Sequence, residues 1–116
     1  MRRSPTPFLW TLFSAGGTVA AFFYPVHLFL TGIAFPLRLI HPLTHERALA
    51  LASHPLSRAY LLVLIALPLF HWAHRFRYTL YDGLQLKHLF GLVAVICYGT
   101  ALTGAVLAVF ALWALP

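Results

Sequence analysis

HLFGLVAVICYGTALTGAVLAVFALWAL, residues 88–115, runs without a single Asp, Glu, Lys or Arg. About 20 apolar residues suffice to cross the hydrocarbon layer of a bilayer as an α-helix, at roughly 1.5 Å per residue. This stretch is long enough to do so with residues to spare. The rest of the chain has the same character. Hydrophobic residues make up 61% of the 116 positions and charged residues 9%, against about half and about a quarter in soluble domains. A soluble domain of this size keeps much of its surface wet and needs polar side chains to cover it. Eight Lys and Arg and two acidic residues cannot supply them. Lipid is therefore the solvent for most of the surface.

Working towards the N-terminus, the segments 8–39 and 56–78 are two further apolar runs. The expectation is an all-α membrane protein: one anchor domain over residues 1–116 with three transmembrane helices at about 8–39, 56–78 and 88–115. MRRSPTPFLW opens like a signal peptide, but its apolar run continues far beyond a signal core and AGG at 15–17 comes too early for cleavage, so a retained helix is expected. Pro25 and Pro36 should kink or end the first span. Gly16, Gly17, Ala20 and Ala21 form a small-residue face at four-residue spacing, and Gly99, Thr100, Thr103 and Gly104 form another. Both are expected to receive helices, the chain being incomplete without partners. The polar stretch 41–55 reads as an inter-helix loop, whose core LTHERALALAS at 43–53 could form a short interfacial helix between His41-Pro42 and His54-Pro55, and TLYDGLQLK at 79–87 as a connection.

The net charge of +6 does not make a nucleic-acid protein. Its cations lie singly or in pairs between apolar runs, where they flank membrane spans. With a cytoplasmic N-terminus, Arg2, Arg3, Arg75, Arg77 and Lys87 lie inside, and Arg38, Arg47 and Arg58 outside. That asymmetry predicts the N-terminus in the cytoplasm and the C-terminus outside. Cys97, the one cysteine, permits no intrachain disulfide and reads as a packed thiol. His41, His45 and His54 lack the spacing of a metal site, and none is expected. No phosphate loop, nucleophile elbow or carboxylate pair is present, and no catalytic residue is assigned.

Chemistry concentrates at the end of the second span, in HWAHRFRY at 71–78. His71, His74, Arg75 and Tyr78 stand at i, i+3, i+4 and i+7 and share a helix face. Arg77 lies off that face and is expected to meet lipid phosphates. Ionisable groups near hydrocarbon depth usually face a cavity, a partner or a function. An out-and-back pair of helices brings Trp10 and Phe13 to the depth of His74 and Arg75. Together they offer an aromatic wall, a fixed cation and a titratable imidazole, which are the parts a quinone headgroup needs. An ordinary aromatic belt with snorkelling cations would use the same residues, so composition alone leaves both readings open. A haem between His27 and His71 fails on depth: the two sit roughly 22 Å and 9 Å from the cytoplasmic end.

The residues also resemble a family. PFLWTLFSAGG at 7–17, Pro25, GIAFPL at 32–37 and LPLFHWAHR at 67–75 are similar to the D-subunit family of fumarate reductases, hydrophobic anchors of a four-subunit quinol:fumarate oxidoreductase used in anaerobic respiration. The resemblance implies an anchor in the bacterial inner membrane, itself without a catalytic centre. Its partners would be a second hydrophobic anchor (the C-subunit), an iron–sulfur subunit and a flavoprotein subunit, with FAD and iron–sulfur clusters on those partners only. It implies menaquinone or menaquinol at the subunit interface, bordered by Trp10, Phe13, Ser14, His74 and Arg75. Ser14 stands where the family carries glycine; Arg77 and Tyr78 stand where it carries further histidines. His71 and Tyr78 are candidates for a proton path or a haem ligand, although haem b is not expected. Two alternatives stand beside this reading: a haem-b-binding anchor of a succinate dehydrogenase, and a small oligomeric transporter using its membrane histidines.

Overall fold

The structure, a computed structural model, describes residues 4–116; Arg2 and Arg3, on which part of the orientation argument rests, lie outside the described residues. Three long helices are apolar enough to cross a membrane. Helix α1 (Thr6–Phe29) continues through a π-helical turn (Leu30–Ala34); α2 is short (His45–Ser53); α3 spans Pro55–Gly83; a 3₁₀ turn (Lys87–Leu89) leads into α4 (Phe90–Trp113). Helix α3 runs between the other two spans. It packs against α1 on one side and α4 on the other, and α1 and α4 are not neighbours. The buried core is thin, built from Leu64, Ala73, Val93, Cys97, Ala101 and a few more, while Phe22, Val95 and Phe110 are each at least 70% exposed. Large apolar side chains facing outward on every span are what a lipid solvent selects.

Three prolines fall where the backbone can spare a donor, whereas Pro25 lies inside α1 and Pro68 inside α3. Pro5, Pro7 and Pro55 lie at helix starts, where N–H groups have no intrahelical acceptor. Pro36 cannot continue the first span, and the ladder shifts to longer bonds there: Phe35 N–H donates to Leu30 O and Leu39 N–H to Ala34 O, both at 2.9 Å. Arg38 then takes a left-handed conformation (φ 56°) and ends the segment. The helical span thus stops at Ala34 rather than at residue 39, because a ring without an N–H cannot extend it.

Pro68 lies inside α3 and removes the donor that the Leu64 carbonyl would otherwise receive. Tyr24 of α1 supplies it instead: its hydroxyl donates to Leu64 O at 2.8 Å. Tyr24→Phe strands that carbonyl in the helix interface. The expected loss is about 1–3 kcal/mol, read as a lower thermal midpoint of the purified protein.

Two elements differ from the sequence expectation in ways that matter for the site. Helix α3 extends to Gly83, through most of the expected connection, because Leu80 and Tyr81 pack against the cluster of Ala73, Val93, Cys97 and Ala101 on α3 and α4. The glycine face of α1 is occupied within the chain. A Cβ on Gly16 would meet the Leu67 carbonyl and, at 2.7 Å, His71 Cβ. Gly99 faces open space and Gly104 meets Leu69. The expected interfacial helix is α2: Thr44 caps it by accepting from Arg47 N–H at 3.3 Å.

Candidate functional site

Where the start of α1 meets the last third of α3, a cleft of about 380 Å³ opens on one side. Trp10 and Phe13 form one wall; His74, Arg75, Tyr78, Thr79 and Asp82 form the other. Both walls follow from helix periodicity. Trp10 and Phe13 are i and i+3 on α1, while His74, Arg75, Tyr78, Thr79 and Asp82 trace one stripe along α3. Thr79 and Asp82 join that stripe only because α3 continues past Tyr78. Asp82, the one aspartate of the chain, also pairs with Lys87 at 3.4 Å across an exposed rim.

His74 is buried, 6% exposed, and is the one buried polar residue among those described. Rings enclose it on several sides: Phe13 at 5.0 Å, Tyr78 at 5.4 Å, Phe70 at 6.1 Å and Trp10 at 6.2 Å between centroids. A buried imidazole needs a hydrogen-bond partner. Its Nδ1 lies 2.7 Å from the hydroxyl of Tyr98, on α4. Tyr98 is a residue that reasoning along single helices does not find: nothing in the local pattern links position 98 to position 74. The third span, whose small-residue stripe reads as a packing face, therefore also reaches the site.

Arg77 lies against the aromatic residues of the α3–α4 seam. Its guanidinium carbon lies 4.6 Å from the ring centre of Tyr78, 5.2 Å from that of Tyr98 and 5.9 Å from that of Tyr81. Position 77 borders the His74 stripe, and the aromatic faces on α3 and α4 attract the cation. Its Nε is buried without a hydrogen-bond partner among the described residues.

Other candidates lie off the cleft. His71 is not among its lining residues. Its ring stacks on Phe13 at 4.3 Å with the planes 11° apart, and its Nδ1 sits 2.8 Å from the Phe13 carbonyl. The imidazole fills the space above Gly17, where a Cβ would come within 2.8 Å of its Cε1. Ser14 lines a separate, shallower groove on α1 together with Trp10, Thr11 and Thr18. Tyr78 lines the cleft itself. His27 pairs with Tyr60 through Nε2 at 2.7 Å. Tyr60 and His71 are eleven residues apart on α3, roughly 16 Å of helix, so His27 and His71 do not face one another. Among the described residues no group of three His, Cys, Asp or Glu side chains is placed to hold a metal ion.

Known proteins share this sequence along nearly its whole length. The model of the family described as the fumarate reductase D-subunit matches residues 1–113. A relative bearing that name, from Mycobacterium bovis, is 49% identical over 104 residues, covering 90% of this chain and 83% of the relative. The protein of the same name from Mycobacterium tuberculosis is similar to the same extent, with 49% identity over 104 residues. A more distant one, from a Shewanella species, is 36% identical over 109 residues, covering 92% of this chain and 88% of its own. With three membrane-spanning helices and a match across almost every residue, the chain belongs to the fumarate reductase D-subunit family.

Proposed function

We propose that this protein anchors a fumarate reductase complex in the bacterial inner membrane and forms part of the site at which that complex oxidises menaquinol. The observation that carries the proposal is the cleft in which Trp10 and Phe13 of α1 meet His74 and Arg75 of α3. A quinol headgroup is flat and apolar with an oxygen at each end. Trp10 and Phe13 offer an edge-to-face pair, with centroids 5.7 Å apart, against which such a ring can lie. Arg75 offers a charge-assisted donor to an oxygen that gains negative charge as its proton leaves. Asp82 at the rim is a carboxylate able to take a proton towards water.

The cleft volume lies within the roughly 300–1,000 Å³ usual for small-molecule sites, but one side is open. A partner has to close it. The second anchor (the C-subunit) and the iron–sulfur subunit are the candidates, held on the cytoplasmic side by a chain whose N-terminus is cytoplasmic and whose C-terminus is outside. Arg75, Arg77 and Lys87 at the cleft end, against Arg38, Arg47 and Arg58 at the other, support that orientation only through the contribution of Arg2 and Arg3. Iron–sulfur clusters and FAD on the partners would accept the two electrons and pass them to fumarate.

The test is purification of the chain from native membranes in mild detergent. A flavoprotein, an iron–sulfur protein and a second small hydrophobic subunit are expected to come with it, and the preparation should couple menaquinol oxidation to fumarate reduction. Recovery of a homo-oligomer alone would overturn the proposal.

A further inference from the structure

We infer that Tyr98 is a positioning residue for the site: its hydroxyl donates to His74 Nδ1 and thereby sets His74 to offer Nε2–H, as a donor, to the oxygen of a quinone-type ligand in the cleft. The ligand class rests on the reading above; the Tyr98–His74 arrangement does not.

The direction of the 2.7 Å contact follows from counting donors and acceptors. A phenol has one hydrogen, and a neutral imidazole has one protonated and one bare nitrogen. If Nδ1–H donated to Tyr98, the phenolic hydrogen would need another acceptor, and the hydroxyl has none among the described residues. Leaving a half-buried O–H without an acceptor is costly. If Tyr98 donates, its hydrogen is satisfied and the proton of His74 resides on Nε2. That nitrogen has no hydrogen-bond partner among the described residues, and His74 is part of the cleft wall.

Both rings are held in place. Phe70 stacks on His74 with the planes 20° apart and flanks Tyr98 at 5.6 Å. The Arg77 guanidinium covers Tyr98 from 5.2 Å. Neighbouring Cys97 and Ala101 are buried in the α3–α4 seam, which leaves the phenol little room to swing. A ring flip of His74 would put Cδ2 where Nδ1 stands and break the Tyr98 bond. The consequence for function is specific. A His74 that already carries a proton on Nε2 is a donor to the ligand oxygen and does not accept the first proton from the quinol. That proton leaves by another route.

The experiment uses the assembled complex with ¹⁵N-histidine in this subunit, the His74 signals being identified by their loss in His74→Gln. In the native protein, solid-state ¹⁵N spectra should show a bare, hydrogen-bonded Nδ1 and a protonated Nε2. Tyr98→Phe keeps the ring and removes the hydroxyl. It should shift the Nδ1 signal towards that of a free acceptor and raise KM for menaquinol about three- to tenfold, the range one hydrogen bond supplies, with kcat changing less. Tyr81→Phe, which removes another hydroxyl from the same seam (its partner is Phe90 O at 2.8 Å), should change neither. A protonated Nδ1 in the native protein, or a His74 signal indifferent to Tyr98→Phe, overturns the arrangement. An unchanged KM with shifted His74 signals overturns its role at the ligand. Quinol oxidation that survives Arg75→Leu defeats the quinone reading instead, and the ¹⁵N spectra then still decide the Tyr98–His74 contact.

Discussion

Arg75→Leu should reduce menaquinol oxidation by the complex at least about 100-fold while fumarate reduction driven by a soluble dye continues at the native rate. The size follows from the role proposed for the guanidinium. Removing one donor aimed at developing negative charge in a water-poor site commonly costs a factor of about 10²–10³. Arg75 is exposed on the cleft wall and its side chain makes no hydrogen bond or ion pair among the described residues, so its loss should not unfold the helix. A dye delivers electrons directly to the soluble partners and bypasses the membrane, which separates loss of the site from loss of assembly. Arg75→Lys should recover part of the rate, since it keeps the charge but not the planar pair of donors. Menaquinol turnover that stays near native in Arg75→Leu would remove the cleft from the reaction.

Gly16→Val should prevent accumulation of the subunit in the membrane, and with it the complex. A Cβ at position 16 meets the Leu67 carbonyl and, at 2.7 Å, the Cβ of His71. Both belong to the backbone of α3 or its immediate root, so no rotamer change can relieve the clash. The two helices would have to move apart. Separation would unseat His71 from the Phe13 carbonyl, open the Tyr24–Leu64 bond and widen the cleft. Overpacking a core that can relax costs about 1–3 kcal/mol; a clash with backbone, in a bundle whose buried core is this thin, should exceed that. Gly91→Ala is the control, because a Cβ there meets nothing within 4 Å. Normal levels of the Gly16→Val protein in membranes, measured by immunoblot, would show that α1 and α3 are not packed as described.

Three spans and the meeting of Trp10 and Phe13 with His74 and Arg75 were legible in the sequence for one reason. Lipid forces every backbone donor and acceptor to be satisfied inside the segment, so an apolar run of this length is a helix. Once helices alternate direction, depth along each follows from residue number alone. The ends of the spans were less legible. Pro36 stopped the first helix early, and Leu80 and Tyr81 carried α3 onward to pack on α4. That extension placed Thr79 and Asp82 on the cleft.

Which helix faces which was decided by the tertiary structure. The period of one helix says that His71, His74, Arg75 and Tyr78 share a side, but not what occupies it. Packing against Gly16 and Gly17 draws His71 under Phe13, while Ser14 turns to a different groove. Tyr98 and Arg77 reach the site because α4 lies against α3, Tyr98 being 24 residues along the chain from His74. By itself, the sequence determined a membrane hairpin with a polar corner and a third span, since hydropathy and depth are local properties. The partner of that corner's one buried imidazole was decided only when α4 packed against α3, because hydrogen bonding between helices depends on their rotation and spacing, which no single segment encodes.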